Sequence, residues 1–569
     1  MNLDKRSFFA IVLFSVLYFG YNHYLQTKYP NMGVPSEILE KGAENLEANR
    51  SASPVKTATS SEVEEKQKAV ISSSAPKDIK KLSEKALTYD SSVATFSLDQ
   101  KTGGFKSIYL KDYTTELGNA ALVNLVDEEL VIQPLVGTEA GPVHHFSATR
   151  EGDTVSFERV SGSFKVTHSY TFSKNSYGVD INVNYENISG SAQNLQATLL
   201  MSDAMANVKA VDGGFLPGVP TGRPSLVSSI GDESEHHDAE HYCEDEDEKG
   251  AIESSSAANV NLVGLDRHYF VKAIVAGGQK FSYALSKTER AAGRGCLYNI
   301  SLGQDFGRVE AGQNVSIKLK SFFGPKDLDI LRAYDEKLLE TVDLGWFAFL
   351  SEPLLKGIKL LYSLTGNWGF AIILLTIIIK VIFYPLTKSA AVAMHKNKKL
   401  QPEMMALREK FKNDPRRQQQ ELMAFMSKNQ INPMKGCLPM LPQMPVFFAL
   451  YRVLSTAIEL RHAPFMGWIV DLSAADPLYI TPLVWGGTMF IQQKLTPSPG
   501  MDKTQQKVMM MLPAVFSVMM ITLPSGMVLY MLANTIMSIG QQKWLNVKLE
   551  AEEKSLEGAK TKKVKTAKA

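Results

Sequence analysis

Lys380 lies inside the apolar run Ala371–Pro385, where a cation needs a reason. A lysine at the centre of a membrane span costs roughly 2.5–3.5 kcal/mol, so it should face protein or water. It also stands five residues before Pro385, about 7 Å along a helix at 1.5 Å per residue, and from there a long side chain can snorkel to the headgroups. Thr376 is one helical turn earlier on the same face. Gln443, Gln492, Gln493, Asn534, Gln541 and Gln542 lie within or at the ends of other apolar segments. Each alone suits an interhelical hydrogen bond. Together with a cation they describe a wet cavity among helices.

Motifs for covalent chemistry are missing from the sequence. It has no Walker loop, no His-Glu-x-x-His, no Gly-x-Ser-x-Gly and no paired aspartates in the apolar segments. No enzyme and no cofactor are expected. Cys243, Cys296 and Cys437 lack metal-site spacing and are too few for a disulfide framework; whether Cys243 and Cys296 pair stays open. Asp232–Lys249 holds ten acids with His236, His237, His241 and Cys243. That segment is either a solvated acidic loop or a metal trap.

A chain of 569 residues calls for at least two folding units. Lys5 and Arg6 precede an apolar stretch from Phe8 to about Tyr21, and no small-x-small cleavage site follows. Residues 1–28 therefore read as an uncleaved anchor with its basic end in the cytoplasm. Residues 29–85 read as a tether, since 31–80 contain no Phe, Trp or Tyr and cannot offset their ordering entropy. Over 86–326 the period becomes two: Val179, Ile181, Val183 and Tyr185 alternate with Asp180, Asn182, Asn184 and Glu186. Such strands predict an antiparallel all-β sandwich outside the cytoplasm.

Residues 327–365 should form an amphipathic helix starting at Ser351-Glu352-Pro353. Leu354, Leu355, Ile358, Leu361 and Tyr362 share a face opposite Lys356 and Lys359. It lies in the membrane interface or caps the β-domain. Spans are expected at 366–387, 436–458, 478–494, 507–523 and 525–542. Loop 388–435 carries eleven Lys/Arg against four acids, whereas loop 459–477 has Arg461 against Glu459, Asp471 and Asp476. The positive-inside rule then puts 388–435 and the Lys-rich tail 543–569 in the cytoplasm and 459–477 outside. The expected architecture is a helical polytopic core of six spans, both termini inside, plus the outer β-domain. Within 388–435, helices at 389–412 and 416–429 form a basic hairpin, with Leu407 and Phe411 able to face Leu422 and Phe425.

Residues 366–387 (G-N-W-G-F…K-V-I-F-Y-P-L-T), 432–451 (N-P-M-K-G-C-L-P-M-L-P-Q-M-P-V-F-F-A-L-Y) and 524–530 (P-S-G-M-V-L-Y) closely resemble the YidC family of membrane protein insertases. The anchor and β-domain resemble its Gram-negative form, found in the bacterial inner membrane. The resemblance implies a five-helix core whose hydrophilic groove opens to cytoplasm and lipid, with one cation that draws in acidic parts of nascent membrane proteins. It implies work alone or beside the Sec translocon, and contact of the hairpin and basic tail with the ribosome or signal-recognition machinery. It also implies a mutarotase-like supersandwich without carbohydrate catalysis. The groove cation, usually Arg, falls on Lys380, which keeps charge but loses bidentate geometry. Tyr530 is carried over as a groove residue with Lys380, Thr376, Gln443, Gln493 and Asn534. Met531 stands where many members have a second tyrosine. A secondary transporter is the rival reading, but it predicts an inverted repeat that the sequence does not show.

Overall fold

The computed structural model describes residues 87–118, 121–127, 130–139, 147–205, 225–231, 233–238, 251–289, 296–345, 347–429, 440–495 and 503–566. The expected anchor and tether lie outside the described residues, as do Cys243, Cys437 and most of the acidic segment. Two compact units result. One includes 401–430, and the other joins 79–400 to 431–569.

In the larger unit, sixteen strands between Thr88 and Pro325 form one antiparallel sheet among the described residues. The alternation that predicts them is the alternation of burial. Val179, Ile181, Val183 and Tyr185 are buried, while Asp180 is exposed and Asn182, Asn184 and Glu186 are half-buried. The strand Gly178–Asn187 pairs with Asn314–Pro325 on one side and Phe164–Phe172 on the other. Strands Phe105–Thr114 and Phe164–Phe172 are remote in the hydrogen-bonded order. Yet the rings of Phe105 and Tyr170 meet at 5.0 Å, and the Tyr170 hydroxyl donates to Gly103 O at 3.0 Å. The sheet thus folds over itself into a sandwich around a single apolar core.

Helices α1 (Leu328–Tyr334), α2 (Ala348–Thr365), α3 (Trp368–Ile382) and α4 (Tyr384–Lys410) follow. Then come α5 (Pro415–Lys428), α6 (Met440–Thr456), α7 (Ile480–Leu495), α8 (Lys503–Met519) and α9 (Ser525–Thr566). Among the described residues no single helix is long and apolar enough to cross a membrane. Helix α3 with Tyr384–Lys396 is, across a 63° bend. The span expected at 366–387 therefore breaks at Phe383, two residues before Pro385. Pro385 explains it, since it has no N–H for the carbonyl of Val381 and its ring crowds that turn.

Three other expectations shift. Helix α2 begins at Ala348, not at Ser351, so Pro353 lies inside it; the Ser351 hydroxyl donates back to Phe347 O at 3.1 Å instead of capping. Its face of Leu354, Leu355, Ile358 and Leu361 packs into the helical core with α3 and α6, whereas Phe349, Leu360 and Leu364 are exposed. Helix α9 continues without a break to Thr566, so most of the expected tail is helical. In the smaller unit, Gln418 Nε2 donates to Arg408 O at 2.6 Å and the Arg417 guanidinium covers the Phe411 ring. Leu407, Phe411, Leu422 and Phe425 are half-buried there, and α5 buries no residue fully.

Candidate functional site

Helix α3 is apolar apart from Thr376 and Lys380, and its start is set by Asn367, whose side chain accepts from Phe370 N at 3.2 Å. Close packing at that end requires Gly369: a Cβ there would meet the Phe465 ring at 2.1 Å. With its N-terminus held, α3 packs along α9. Lys380 then falls opposite Ser538, and its Nζ donates to Ser538 Oγ at 2.7 Å. Ser538 in turn donates to Asn534 O at 2.7 Å, and the Asn534 carboxamide accepts from Gln443 Nε2 at 3.0 Å. One polar row thus crosses α6, α9 and α3 and ends on the ammonium.

That ammonium borders an open cavity of about 310 Å³, lined by Ile377, Lys380, Val381, Tyr384, Met537 and Gln541. Ile377 and Val381 flank the cation and are exposed. No carboxylate lines the cavity. The arrangement offers a positive charge, hydrogen-bonding groups and apolar walls, which suits a segment carrying both an acid and apolar side chains.

The structure brings Lys380, Gln443 and Asn534 into this one row. Thr376 does not join it: its buried hydroxyl is bonded to Ile372 O at 2.7 Å in its own helix. Gln493 is elsewhere, donating to Met509 O at 2.6 Å and tying α7 to α8. Tyr530 is 2% exposed in the helical core. Ser538 was not singled out from the sequence. Its signal was its place one turn after Asn534, but serine in a helix is commonplace.

A second polar assembly sits where the β-domain meets the helices. Lys359 Nζ lies 2.6 Å from Asp329, 3.4 Å from Asp327 and 2.7 Å from Glu459. Burial disfavours charge at both Lys359 and Glu459. Three carboxylates overcome it at Lys359, whose ammonium titrates above its usual range. One ammonium does not overcome it at Glu459, whose carboxyl is pushed up. Arg332 pairs with Glu352 at 2.8 Å, and His268 Nε2 meets Ser455 O at 2.6 Å. These contacts seat α2 between the sandwich and the core.

Comparison with known proteins gives a consistent assignment. Residues 87–356 match the family model described as the YidC periplasmic domain, and 360–553 match the model of the 60Kd inner membrane protein. A membrane protein insertase YidC of Geobacter sulfurreducens is 41% identical over 402 residues, covering 70% of this chain and 71% of that protein. One from Geobacter metallireducens is 34% identical over 572 residues, covering 97% and 100%. A solved active YidC insertase with its first transmembrane domain resolved covers 80% of this chain and 91% of its own, at 18% identity and a TM-score of 0.34. That superposition is too loose to transfer geometry.

Proposed function

The chain belongs to the YidC family of membrane protein insertases, and from that premise we propose that it inserts nascent inner-membrane proteins through the cavity at Lys380, without covalent catalysis. The observation that carries this is the Lys380–Ser538 contact, which turns the cation toward a cavity with exposed apolar flanks. An acidic side chain at the centre of a span costs roughly 2.5–3.5 kcal/mol. A carboxylate about 4 Å from an ammonium gains roughly 4 kcal/mol at an effective dielectric constant near 20. The two are comparable. An acid can therefore enter partway without leaving water at full cost, while Ile377 and Val381 receive the apolar part of the same segment.

In this reading α3 with the start of α4, then α6, α7, α8 and the first half of α9 are the five core spans. Residues 1–28 add a sixth, with both termini cytoplasmic and the sandwich periplasmic. The basic hairpin and tail would meet the ribosome or signal-recognition machinery, and the Sec translocon would be an optional partner. Gln443, Asn534 and Ser538 act as positioning groups for Lys380, with Thr376 and Tyr530 packed behind the groove wall. The test is reconstitution of the purified chain in liposomes with a short phage-coat-type substrate. Protease-protected insertion without any other protein supports the proposal, and solute flux without insertion refutes it.

A further inference from the structure

We propose that Arg461–Tyr479 is a membrane-interface anchor, a rigid platform whose apolar side chains enter the outer headgroup layer of a phospholipid bilayer. The inference rests on the reading that the core helices span the membrane. It goes further by giving this connecting segment a partner.

The distribution of side chains is the reverse of a loop in water. Every exposed residue between Arg461 and Tyr479 is uncharged, and their only polar side-chain groups are the Tyr479 hydroxyl and the Trp468 indole N–H. The large ones are Met466 (60% exposed), Trp468, Val470, Leu478 (56%) and Tyr479 (50%). The charged residues are turned inward. Arg461 donates to Thr114 O at 2.6 Å and Thr115 O at 3.2 Å. The Asp471 carboxylate accepts from the N–H groups of His462 and Ser473 at 3.1 and 2.8 Å and from the Ser473 hydroxyl at 2.7 Å. Asp476 accepts from the N–H groups of Leu478 and Thr481 at 2.9 and 2.7 Å and from the Thr481 hydroxyl.

The segment is also held firmly, so its apolar groups cannot simply fold inward. Ser525 donates to Ala474 O through its N–H at 2.7 Å and its hydroxyl at 2.8 Å, and Gly526 N donates to Leu472 O at 2.8 Å. Asn367 Nδ2 donates to Phe465 O at 3.0 Å. These bonds tie the platform to the first turns of α9 and α3.

Two features favour lipid over a protein as the occupant. Trp and Tyr are the residues of membrane–water interfaces, and the Trp468 indole N–H is already satisfied by Asp476 at 3.2 Å. Its ring can therefore enter the headgroup layer without an orphaned donor. The exposed apolar surface also continues onto the core helices, through Phe370 beside Phe465 and through Leu483 and Val484 just after Tyr479. Lys380 lies twelve residues along α3 from Trp368, about 18 Å at 1.5 Å per residue. Anchoring the platform would thus fix the depth of the cation.

The experiment places the full chain in phosphatidylcholine vesicles brominated either near the glycerol end or near the methyl end of the acyl chains. The difference between wild type and Trp468→Phe isolates the Trp468 emission. It should be blue-shifted and lose most of its intensity to shallow bromine, and less to deep bromine. A Val470→Trp variant adds a reporter beside it and should gain emission quenched in the same way. If neither reporter is quenched while the other tryptophans are, the platform faces water or a protein, and the anchor is refuted with the insertase reading intact. If no tryptophan is quenched, the membrane-spanning reading falls and the anchor with it.

Discussion

Lys380 Nζ and Ser538 Oγ are 2.7 Å apart, so the only charge on α3 is held by a hydroxyl of α9.

Replacing Lys380 by Ala should reduce insertion of substrates with acidic translocated tails by about tenfold or more, since each 1.4 kcal/mol of lost attraction is a factor of ten. Lys380→Arg should retain activity because charge is kept. Insertion of a substrate with an uncharged tail should change little. Equal insertion of acidic tails by Lys380→Ala and wild type at matched expression would show that the lysine merely snorkels.

Ser538→Ala removes one hydrogen bond to a charged group, a contact worth about 1.5–3 kcal/mol. Acidic-tail insertion should fall, but less than in Lys380→Ala, because the cation remains. In the double variant the serine change should add almost nothing. Additive losses in that cycle would mean that Ser538 acts independently of the lysine.

Deleting residues 90–320 should leave insertion largely intact, because the sandwich has its own core and Asp327 and Asp329 remain to hold Lys359. Disrupting the Leu354–Tyr362 part of α2 should abolish it, since Leu355 and Ile358 pack into the helical core. Loss of insertion on the first deletion, with the remainder folded by circular dichroism and gel filtration, would overturn this.

Ribosome co-sedimentation in micelles free of anionic lipid should persist at low salt and fall steeply as salt rises, as expected for contact with several phosphates. Removing residues 545–569 should weaken it. Charges that serve topology or anionic lipid alone would leave it unchanged, both in that deletion and after neutralising Arg416 and Arg417.

His168 is fully buried, and burial followed by the nearby Arg159 lowers its pKa from 6.5 to about 3. The folded sandwich keeps it neutral while the unfolded chain protonates. Its contribution is therefore complete above pH 6.5 and is lost as pH falls from there toward 3. At pH 5 the loss is about 2 kcal/mol by linkage. The thermal unfolding midpoint of the sandwich should drop between pH 7 and 5, and His168→Phe should flatten that slope. An unchanged slope in the variant would assign the acid limb to other groups.

Much was legible in the chain itself. A period of two, as at Val179–Tyr185, leaves strands with one wet face few alternatives to a sandwich, and Asn413-Asp414-Pro415 marks the turn between two helices of 388–435. A cation in an apolar run also announces itself, because its cost in lipid depends only on its neighbours in sequence. The remainder depended on which surfaces meet. Gln443, Gln493 and Asn534 look alike as polar residues in apolar segments, yet only the packing of α6 and α3 on α9 puts two of them in the row that ends on Lys380. Ser538 became visible by the same route. The inward turn of Arg461, Asp471 and Asp476 was equally hidden. From sequence those residues only place the loop outside the cytoplasm, because hydrogen-bond partners distant in sequence are chosen by tertiary packing and not by local pattern.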